Sequence, residues 1–364
     1  MTVELNFSHI PNASPLPVAQ REALLENPGF GTSFTDHMAV IEYTQGIGWH
    51  DARIQAREAI NLHPAAAVLH YAQEIFEGLK AYRSSTGEVL MFRPDANAKR
   101  FQESADRLAM PLLPPELFVK SIEELIRADK AWVPTDPNKS LYLRPFMFAN
   151  EAFLGVRPAK TFMYIVIACP VGGYFKGGAE AVSVWVSERY SRAAAGGTGA
   201  AKCGGNYAAS LIAQSEASAQ GCDQVAFLDA AEHFWLEEMG GMNMFFVFDD
   251  GSLITPPLGG TILPGITRDS LITLARDAGM TVREERYSFK QWREDAANGR
   301  LREAFACGTA AVVTPIGKIK FAGGEVLIGD GAHAGPTTKS LKDALVKIQR
   351  GQSDNAYGWV HRIS

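Results

Sequence analysis

The stretch GGTGAAKCGGNY, residues 196–207, places one lysine, Lys202, inside a run of glycines and other small residues. A lysine in such a setting has three possible functions. It can neutralise nucleotide phosphates in a P-loop, form a Schiff base with a carbonyl cofactor, or lie solvated in a surface loop, as most lysines do. The predicted fold and the predicted function both depend on which of the three applies.

The length and composition predict a two-domain protein that binds a small molecule. A chain of 364 residues exceeds what one hydrophobic core usually serves. The net charge of -5 gives no positive surface for nucleic acid. The longest apolar run, residues 162–171, is too short to span a bilayer. We therefore expect neither a nucleic acid nor a membrane as partner.

The cysteine pattern predicts a reducing compartment and no metal site. The four cysteines form no C-x-x-C pair and no Cys/His group with zinc spacing. Residues 1–17 lack the basic and apolar regions of a signal peptide. A cytoplasmic location is the expectation.

Hydrophobic periodicity predicts an α+β chain in two parts. The first part is predicted to have strands within 38–93, helices from Asp95 to Pro111 and over 114–132, and strands at 139–148 and 161–171. The second is predicted to have strands at 182–187, 223–229 and 242–255, the last turning at Asp250–Gly251, and helices at 207–220, 267–279, 289–298 and 336–350. We expect a smaller N-terminal domain over 1–170, a glycine-rich interdomain loop over 171–181 and a larger C-terminal domain over 182–364.

The P-loop interpretation fails at two of its four fixed positions. In the pattern G-x-x-x-x-G-K-[ST] counted from Gly196, the second glycine is replaced by Ala201 and the Ser/Thr that binds magnesium by Cys203. The Schiff-base interpretation is favoured because the small neighbours of Lys202 leave room for a cofactor. Candidates for a phosphate cup and a carboxylate follow downstream in LPGITRDSL (263–271), CGTAAV (307–312) and WLEEMGGMN (235–243).

Taken in order, these motifs resemble those of the class IV (fold type IV) pyridoxal-phosphate aminotransferases, and most closely the branched-chain amino acid aminotransferases of bacterial type. The resemblance rests on GGNY, LEEMGGMN, GGTILPGITR and ACGTAA, and upstream on FTDHM (34–38), LHYAQEIFEGLKAY (69–82), FRPDANAKR (92–100) and LYLRPFMFANE (141–151). It implies a two-domain, homodimeric enzyme. Such an enzyme transfers the amino group between leucine, isoleucine or valine and 2-oxoglutarate in a ping-pong cycle with pyridoxal 5'-phosphate.

The resemblance also implies a role for each motif residue. Lys202 holds the cofactor and carries the proton during catalysis. Glu238, rather than Glu237, keeps the pyridine nitrogen protonated. The remaining cofactor residues are Arg100, the amides of Ile266 and Thr267, and Thr309 at the phosphate, with Arg192 and Tyr207 beside the ring.

The substrate pocket implied by the resemblance is aromatic. Its walls suit branched side chains, while tyrosine hydroxyls and an arginine can receive the distal carboxylate of glutamate. The implied residues are Phe30, Tyr71, Phe76, Tyr142, Arg144 and Tyr174, with Thr309 and Ala310 at the substrate carboxylate. In the family Tyr71 enters the site from the neighbouring subunit.

Four alternative functions are weighed against this one. A D-amino acid aminotransferase and an aminodeoxychorismate lyase share the cofactor and fold, but HYAQEIFEGLKAY and the long N-terminal arm are evidence against both. A P-loop nucleotide-binding module is a further alternative, to be detected by nucleotide binding in magnesium. A binding protein without a cofactor would be colourless.

Overall fold

The computed structural model describes residues 5–172 and 180–363, which divide between two compact units. The first unit comprises Met1–Tyr174, Ala201–Gly204 and Ile348–Ser364, and the second comprises Phe175–Ala200 and Gly205–Lys347. Lys202 therefore belongs to the first unit, although the chain on either side of its short segment belongs to the second. Among the described residues, no helix is both long and apolar enough to cross a membrane.

The first unit is built on one nine-stranded sheet. Its strands are β1 (Ser8–His9), β2 (His37–Thr44), β3 (Gly48–Ala56), β4 (Glu74–Phe76), β5 (Leu79–Arg83), β6 (Val89–Phe92), β7 (Ser140–Ala149), β8 (Thr161–Val171) and β18 (Val360–Ile363). Their order is β1-β3-β2-β8-β7-β5-β6-β18, with β4 on β7. The pairings are antiparallel except that of β1 with β3.

The described part of the first unit has four helices, of which the third and fourth bury an apolar face. The four are α1 (Val18–Glu26), α2 (Ala67–Tyr71), α3 (Pro94–Arg107) and α4 (Pro115–Ala128), followed by a 3₁₀ turn at Lys130–Trp132. A proline near the first position suits the start of α3, because the N–H that proline lacks would have no partner within the helix at that position. Phe101 and Ala105 lie on one face of α3 and are buried in the core together with Phe118 of α4.

The second unit also has a nine-stranded sheet, and part of it closes on itself. Its strands are β9 (Val182–Ser187), β10 (Gln224–Leu228), β11 (Leu236–Met239), β12 (Met242–Phe248), β13 (Leu253–Thr255), β14 (Val282–Glu284), β15 (Leu301–Gly308), β16 (Val312–Phe321) and β17 (Gly324–Leu327). The order is β11-β10-β9-β16-β15-β12-β13-β14, with β17 on β16. A further pairing of β11 with β12 closes the first six strands of this order into a ring.

Helices α5 (Gly204–Ala219), α6 (Ile266–Asp277), α7 (Phe289–Ala297) and α8 (Pro336–Gln349) follow the predicted segments. The hairpin turn at Asp250–Gly251 is also present, because β12 and β13 pair antiparallel across it and Gly251 has a φ of 78°. Helix α5 begins at Gly204, one turn before the predicted start at Tyr207.

The predicted C-terminal domain boundary differs from the structure. We expected residues 182–364 to form one domain, but Ile348–Ser364 belongs to the first unit. The physical reason is β18, which pairs antiparallel with β6 from Val360↔Phe92 to Ile363↔Val89 and so completes the first sheet. Within the predicted interdomain loop, residues 173–179 lie outside the described residues.

Candidate active site

Lys202 is held at both of its backbone groups. Its N–H donates to the Ser104 hydroxyl at 2.9 Å, and its carbonyl accepts from the Phe76 N–H at 2.9 Å. The side chain is half-buried, with Nζ 4.9 Å from the centre of the Phe76 ring. These contacts exclude the interpretation of Lys202 as a solvated lysine in a loose loop.

A buried ion pair lies in the same unit, formed by Arg100 of α3 and Glu77. Arg100 donates from Nε to one carboxylate oxygen at 2.7 Å and from Nη2 to the other at 2.9 Å. Burial alone would raise the pKa of Glu77, but Arg100, Lys202 and the Asn97 amide hold it below its ordinary value. A two-point pairing of this kind is what makes a buried charge pair tolerable. Glu77 and Asn97 were not identified from the sequence, although Glu77 lies within the FEGLKAY motif.

Four of the predicted pocket residues come together in the first unit. The rings of Phe30 and Tyr142 lie 5.4 Å apart. The Arg144 guanidinium donates to the Tyr142 hydroxyl at 3.1 Å and lies 4.7 Å from the centre of the Phe76 ring. This group, which we call the aromatic group (Phe30, Phe76, Tyr142 and Arg144), combines apolar walls with one cation.

Tyr71 has a different environment from the aromatic group. It ends the short helix α2, its side chain is 38% exposed, and its ring packs near His70 at 6.2 Å and Phe153 at 6.5 Å. The remaining predicted pocket residue, Tyr174, lies outside the described residues.

In the second unit, Glu238 of β11 is a buried carboxylate with several donors. Arg192 Nη2 lies 2.5 Å from one oxygen. The other oxygen accepts from the Asn243 side chain at 3.0 Å and from the Leu263 N–H at 3.1 Å. Arg192 is itself fixed by donating to the Thr261 carbonyl at 2.6 Å. A carboxylate with this many donors is stabilised in its charged form. Asn243 was not identified from the sequence, although it ends the LEEMGGMN motif.

Glu237, the neighbouring acid, has other partners. It accepts from the Thr261 hydroxyl at 2.5 Å, and within the described residues its second oxygen makes no hydrogen bond. Burial raises the pKa of Glu237, while Thr261 and Arg192 act in the opposite direction. The two adjacent acids of β11 therefore have different chemistry, as the alternation of a strand predicts.

The start of helix α6 is suited to bind an anion. Its N-cap is Gly265, no side chain caps it, and Ile266 and Thr267 are its first residues. The first amides of a helix have no partner within it. A Cβ at position 265 would collide with the Asn243 side-chain oxygen, so glycine is required beside the residue that binds Glu238.

The remaining residues predicted in this unit lie beside the same strands. Cys307 pairs with Asn243 in the register of β12 and β15, and Thr309 and Ala310 follow in the turn to β16. A Cβ at Gly241 would lie 3.1 Å from the Tyr207 ring. The second unit thus gathers a buried carboxylate, an arginine, a tyrosine, a helix start and a tight turn.

One group in the described part of the chain has the spacing of a metal site, Glu42, His50 and Asp51. It lies on the β2–β3 hairpin, where Glu42 already pairs with Arg53 at 3.0 Å. The chemistry available in the two units is instead that of the Lys202 amine, the Glu238 carboxylate and the first amides of α6.

Comparisons with known proteins agree on one family. Residues 74–319 match the family model described as amino-transferase class IV. A branched-chain-amino-acid aminotransferase of Mycobacterium tuberculosis is 54% identical over 99% of this chain and 98% of its own length. Among solved structures, the branched-chain amino acid aminotransferase of Escherichia coli is similar with a TM-score of 0.74 and 31% identity, covering 90% of this chain and 100% of that one. The branched-chain amino acid aminotransferase of Thermobaculum terrenum, solved in its PLP form, is similar with a TM-score of 0.71 and 25% identity, covering 90% and 98%.

The aromatic group depends on the absence of a side chain at Gly78. A Cβ there would collide with the Tyr142 hydroxyl, so we predict that Gly78→Ala displaces Tyr142 and breaks its bond with Arg144. Overpacking of this kind costs about 1–3 kcal/mol. Urea unfolding should show the loss of stability, and the near-ultraviolet circular dichroism should change.

The matched control is Gly205→Ala, because a Cβ at that position meets open space. It should not lower the stability, since alanine favours a helix more than glycine does, and it should leave the near-ultraviolet spectrum as in the parent protein. If Gly78→Ala behaves like this control, the packing described for Tyr142 is wrong.

Proposed function

The chain belongs to the class IV aminotransferases, and we propose from this premise that it transfers amino groups between branched-chain L-amino acids and 2-oxoglutarate with pyridoxal phosphate as cofactor. The observation that carries the proposal is the environment of Lys202, whose backbone is bound on both sides and whose amine lies against the Phe76 ring. The 54% identity with a branched-chain enzyme over nearly the whole chain supports the substrate class.

The residues present fit pyridoxal phosphate. The uncapped start of α6 suits its phosphate, the lysine amine suits its aldehyde, and the buried Glu238 suits its ring nitrogen. When bound, this cofactor supplies an electron sink for the bonds at the substrate Cα. Residues that would hold it are Lys202, Arg100, Arg192, Tyr207, Glu238, Ile266, Thr267 and Thr309.

Lys202 carries the proton chemistry in this proposal. Its amine would take the proton from the substrate Cα and return it to the cofactor carbon that bears the aldehyde group. That role requires an amine whose backbone stays fixed while its flexible side chain moves. The hydrogen bonds from the Lys202 N–H to Ser104 and from the Phe76 N–H to the Lys202 carbonyl supply the fixed backbone.

Glu238 is the residue that would keep a proton on the pyridine nitrogen of the bound cofactor. Its charged form is secured by Arg192 and Asn243, so it can accept a hydrogen bond from a protonated ring nitrogen. Arg192 thus serves the cofactor through Glu238, in addition to the place beside the ring that the resemblance implies.

The aromatic group selects the substrate. Phe30, Phe76 and Tyr142 offer apolar surface to a branched side chain. The second substrate, 2-oxoglutarate, has a distal carboxylate, for which the Tyr142 hydroxyl and Arg144 are the partners. Thr309 and Ala310 are assigned to the carboxylate that every substrate shares.

A homodimer is part of the proposal. Tyr71, Leu154 and Val156 are 38%, 67% and 90% exposed. They lie in neighbouring segments, since Ala66 pairs with Ala152 and the Phe153 N–H donates to the Ala65 carbonyl. Exposed apolar residues grouped in this way are typical of a surface covered by a partner. The occupant proposed here is a second copy of the chain, with Tyr71 entering its active site.

A cytoplasmic location is proposed as well. The cysteines Cys169, Cys203, Cys222 and Cys307 are buried and free, as suits a protein of a reducing compartment.

Substrate range is the direct test of the proposed function. L-Leucine, L-isoleucine and L-valine should each convert 2-oxoglutarate to glutamate, and D-alanine should not, because the enantiomer exchanges the positions of the side chain and the Cα hydrogen. Glutamate formation measured by chromatography decides the matter. Preferential use of D-alanine would assign the chain to the D-amino acid subfamily.

The assignment of Lys202 is tested by substitution and by chemical trapping. Lys202→Ala should abolish transamination and leave the fold intact, and borohydride should fix the cofactor of the parent protein to the peptide that contains Lys202. Lys99→Ala, on the exposed side of α3, is the control and should keep full activity. Trapping at Lys80 or Lys176 would contradict the assignment.

The two acids of β11 should differ in their contribution to turnover. Glu238→Gln should lower kcat by on the order of 100-fold, because it removes the charge opposite the ring nitrogen. Glu237→Gln should have a small effect, since Glu237 faces away from Glu238 on the strand and a glutamine oxygen can still accept from the Thr261 hydroxyl. Steady-state kinetics compares the two. Equal effects would show that Glu238 has no special place.

The shared site is tested by mixing two inactive variants, Lys202→Ala and a disabling change at Tyr71. Random exchange makes half of the dimers hybrid, and each hybrid has one intact site, so about a quarter of the parent activity should return. Light scattering verifies the dimer. Full activity in a monomer, or no recovery after verified exchange, would refute the shared site.

A further inference from the structure

The segment that bears Lys202 has a further hydrogen bond besides those that its backbone makes with Ser104 and Phe76. The N–H of Gly204, two residues after the lysine, donates to a carboxylate oxygen of Glu74, which lies 130 positions away in the chain. Glu74 is in β4, whose backbone is paired with β7 at Glu74↔Phe148. The backbone that carries the Glu74 carboxylate is therefore fixed by the sheet.

Glu74 and Phe76 contact the lysine segment from the same face of β4. They are two positions apart, so their side chains point the same way, while Ile75 between them is fully buried in the core. The Phe76 ring lies against the Lys202 amine, and the Glu74 carboxylate binds the amide that follows. One short strand thus contacts the reactive side chain and the backbone beyond it.

The Gly204 N–H, which donates this bond, is also the first amide of helix α5. The first amides of a helix have no partner within it, and a short polar side chain just before the helix usually supplies one. Here the preceding residue is Cys203, a weak acceptor that is buried. Glu74 takes the place of a local cap, with a charge that suits the positive end of the helix.

Glycine at position 204 is what permits this approach. A Cβ there would collide with the same carboxylate oxygen of Glu74, whereas a Cβ at Gly205 meets open space. Burial raises the pKa of Glu74, and the Gly204 N–H and the nearby Arg144 lower it. The Gly204 amide is thus one of the groups that stabilise the charged form of this carboxylate.

We propose that Glu74 is a positioning residue for Lys202, which fixes the lysine segment by accepting the Gly204 N–H at the first turn of α5. It does not touch the reacting atoms in this account. The inference rests on the proposed function for the role of Lys202, but the hydrogen bond itself can be tested without catalysis.

The test compares Glu74→Ala, which removes the acceptor, with Glu74→Gln, which keeps an acceptor oxygen of the same reach. In the protein freed of cofactor, hydrogen exchange at the Gly204 amide should be about tenfold faster in Glu74→Ala. It should stay close to the parent rate in Glu74→Gln. Glu103→Ala, an exposed carboxylate of α3, is the control and should change nothing.

Kinetics of the loaded enzyme provides a readout that a loss of general stability would not reproduce. In Glu74→Ala, kcat should fall on the order of tenfold or more while KM stays near its parent value, because the lysine is misplaced and the substrate contacts remain. Glu74→Gln should restore most of the rate. An unchanged Gly204 exchange rate or an unchanged kcat in Glu74→Ala would overturn the proposal, as would a glutamine variant as impaired as the alanine variant.

A second substitution keeps the test valid if Glu74→Ala does not fold. Gly204→Ala should displace the carboxylate and lower kcat in the same manner, whereas Gly205→Ala should not. Equal effects of the two glycine changes would contradict the proposal. Borohydride trapping should still label Lys202 in Glu74→Gln, and loss of labelling in the parent protein itself would refute the proposed function rather than the role of Glu74.

Discussion

The backbone of Lys202 is bound into the first unit, and the assignment of an active site follows from that constraint. A lysine in a glycine-rich loop is normally mobile, and its backbone loses entropy when it is held in one conformation. Here the cost is offset by two hydrogen bonds, one from the Lys202 N–H to Ser104 and one from the Phe76 N–H to the Lys202 carbonyl. The short segment Ala201–Gly204 belongs with the first unit for this reason, between two stretches of chain that belong to the second.

Each unit contains a buried carboxylate that is paired with a buried arginine, an arrangement that favours the ionised forms of both. Arg100 binds both oxygens of Glu77, and Arg192 binds Glu238, which Asn243 also contacts. Such pairs contribute little to stability compared with apolar residues of the same size, and removing one member leaves the other charged and unpaired. In an enzyme such pairs hold charged groups at fixed positions. A charge that is already in position stabilises the charge that develops during the reaction without having to move.

The motifs could be picked out from the sequence because each is a short stretch with unusual glycines. The roles of Lys202, Glu238, Ile266 and Thr309 within them come from the resemblance and stay predictions. Helices α3 to α8 and most strands also follow the predicted segments, whereas α1 and α2 were not predicted. The partners that hold the motif residues could not be predicted, since Glu77, Asn243 and Glu74 act through contacts that depend on the folded chain.

Two errors in the predicted fold have the same origin. The start of α5 was placed too late because Gly204 and Gly205 are poor helix formers, and the Glu74 carboxylate that binds the first turn is remote in sequence. The C-terminal strand was assigned to the wrong domain because Val360–Ile363 carries no local sign of its pairing with β6. Long-range pairing decides both, and a local pattern does not contain it.

The most direct measurement is the visible absorbance spectrum of the purified protein during titration with L-leucine. If Lys202 holds pyridoxal phosphate and the chain transfers the amino group of leucine, the protein should be yellow, the visible band should disappear as leucine is added, and 2-oxoglutarate should restore it. A colourless protein that gains no band with added pyridoxal phosphate, or a band that leucine leaves unchanged, would contradict the account.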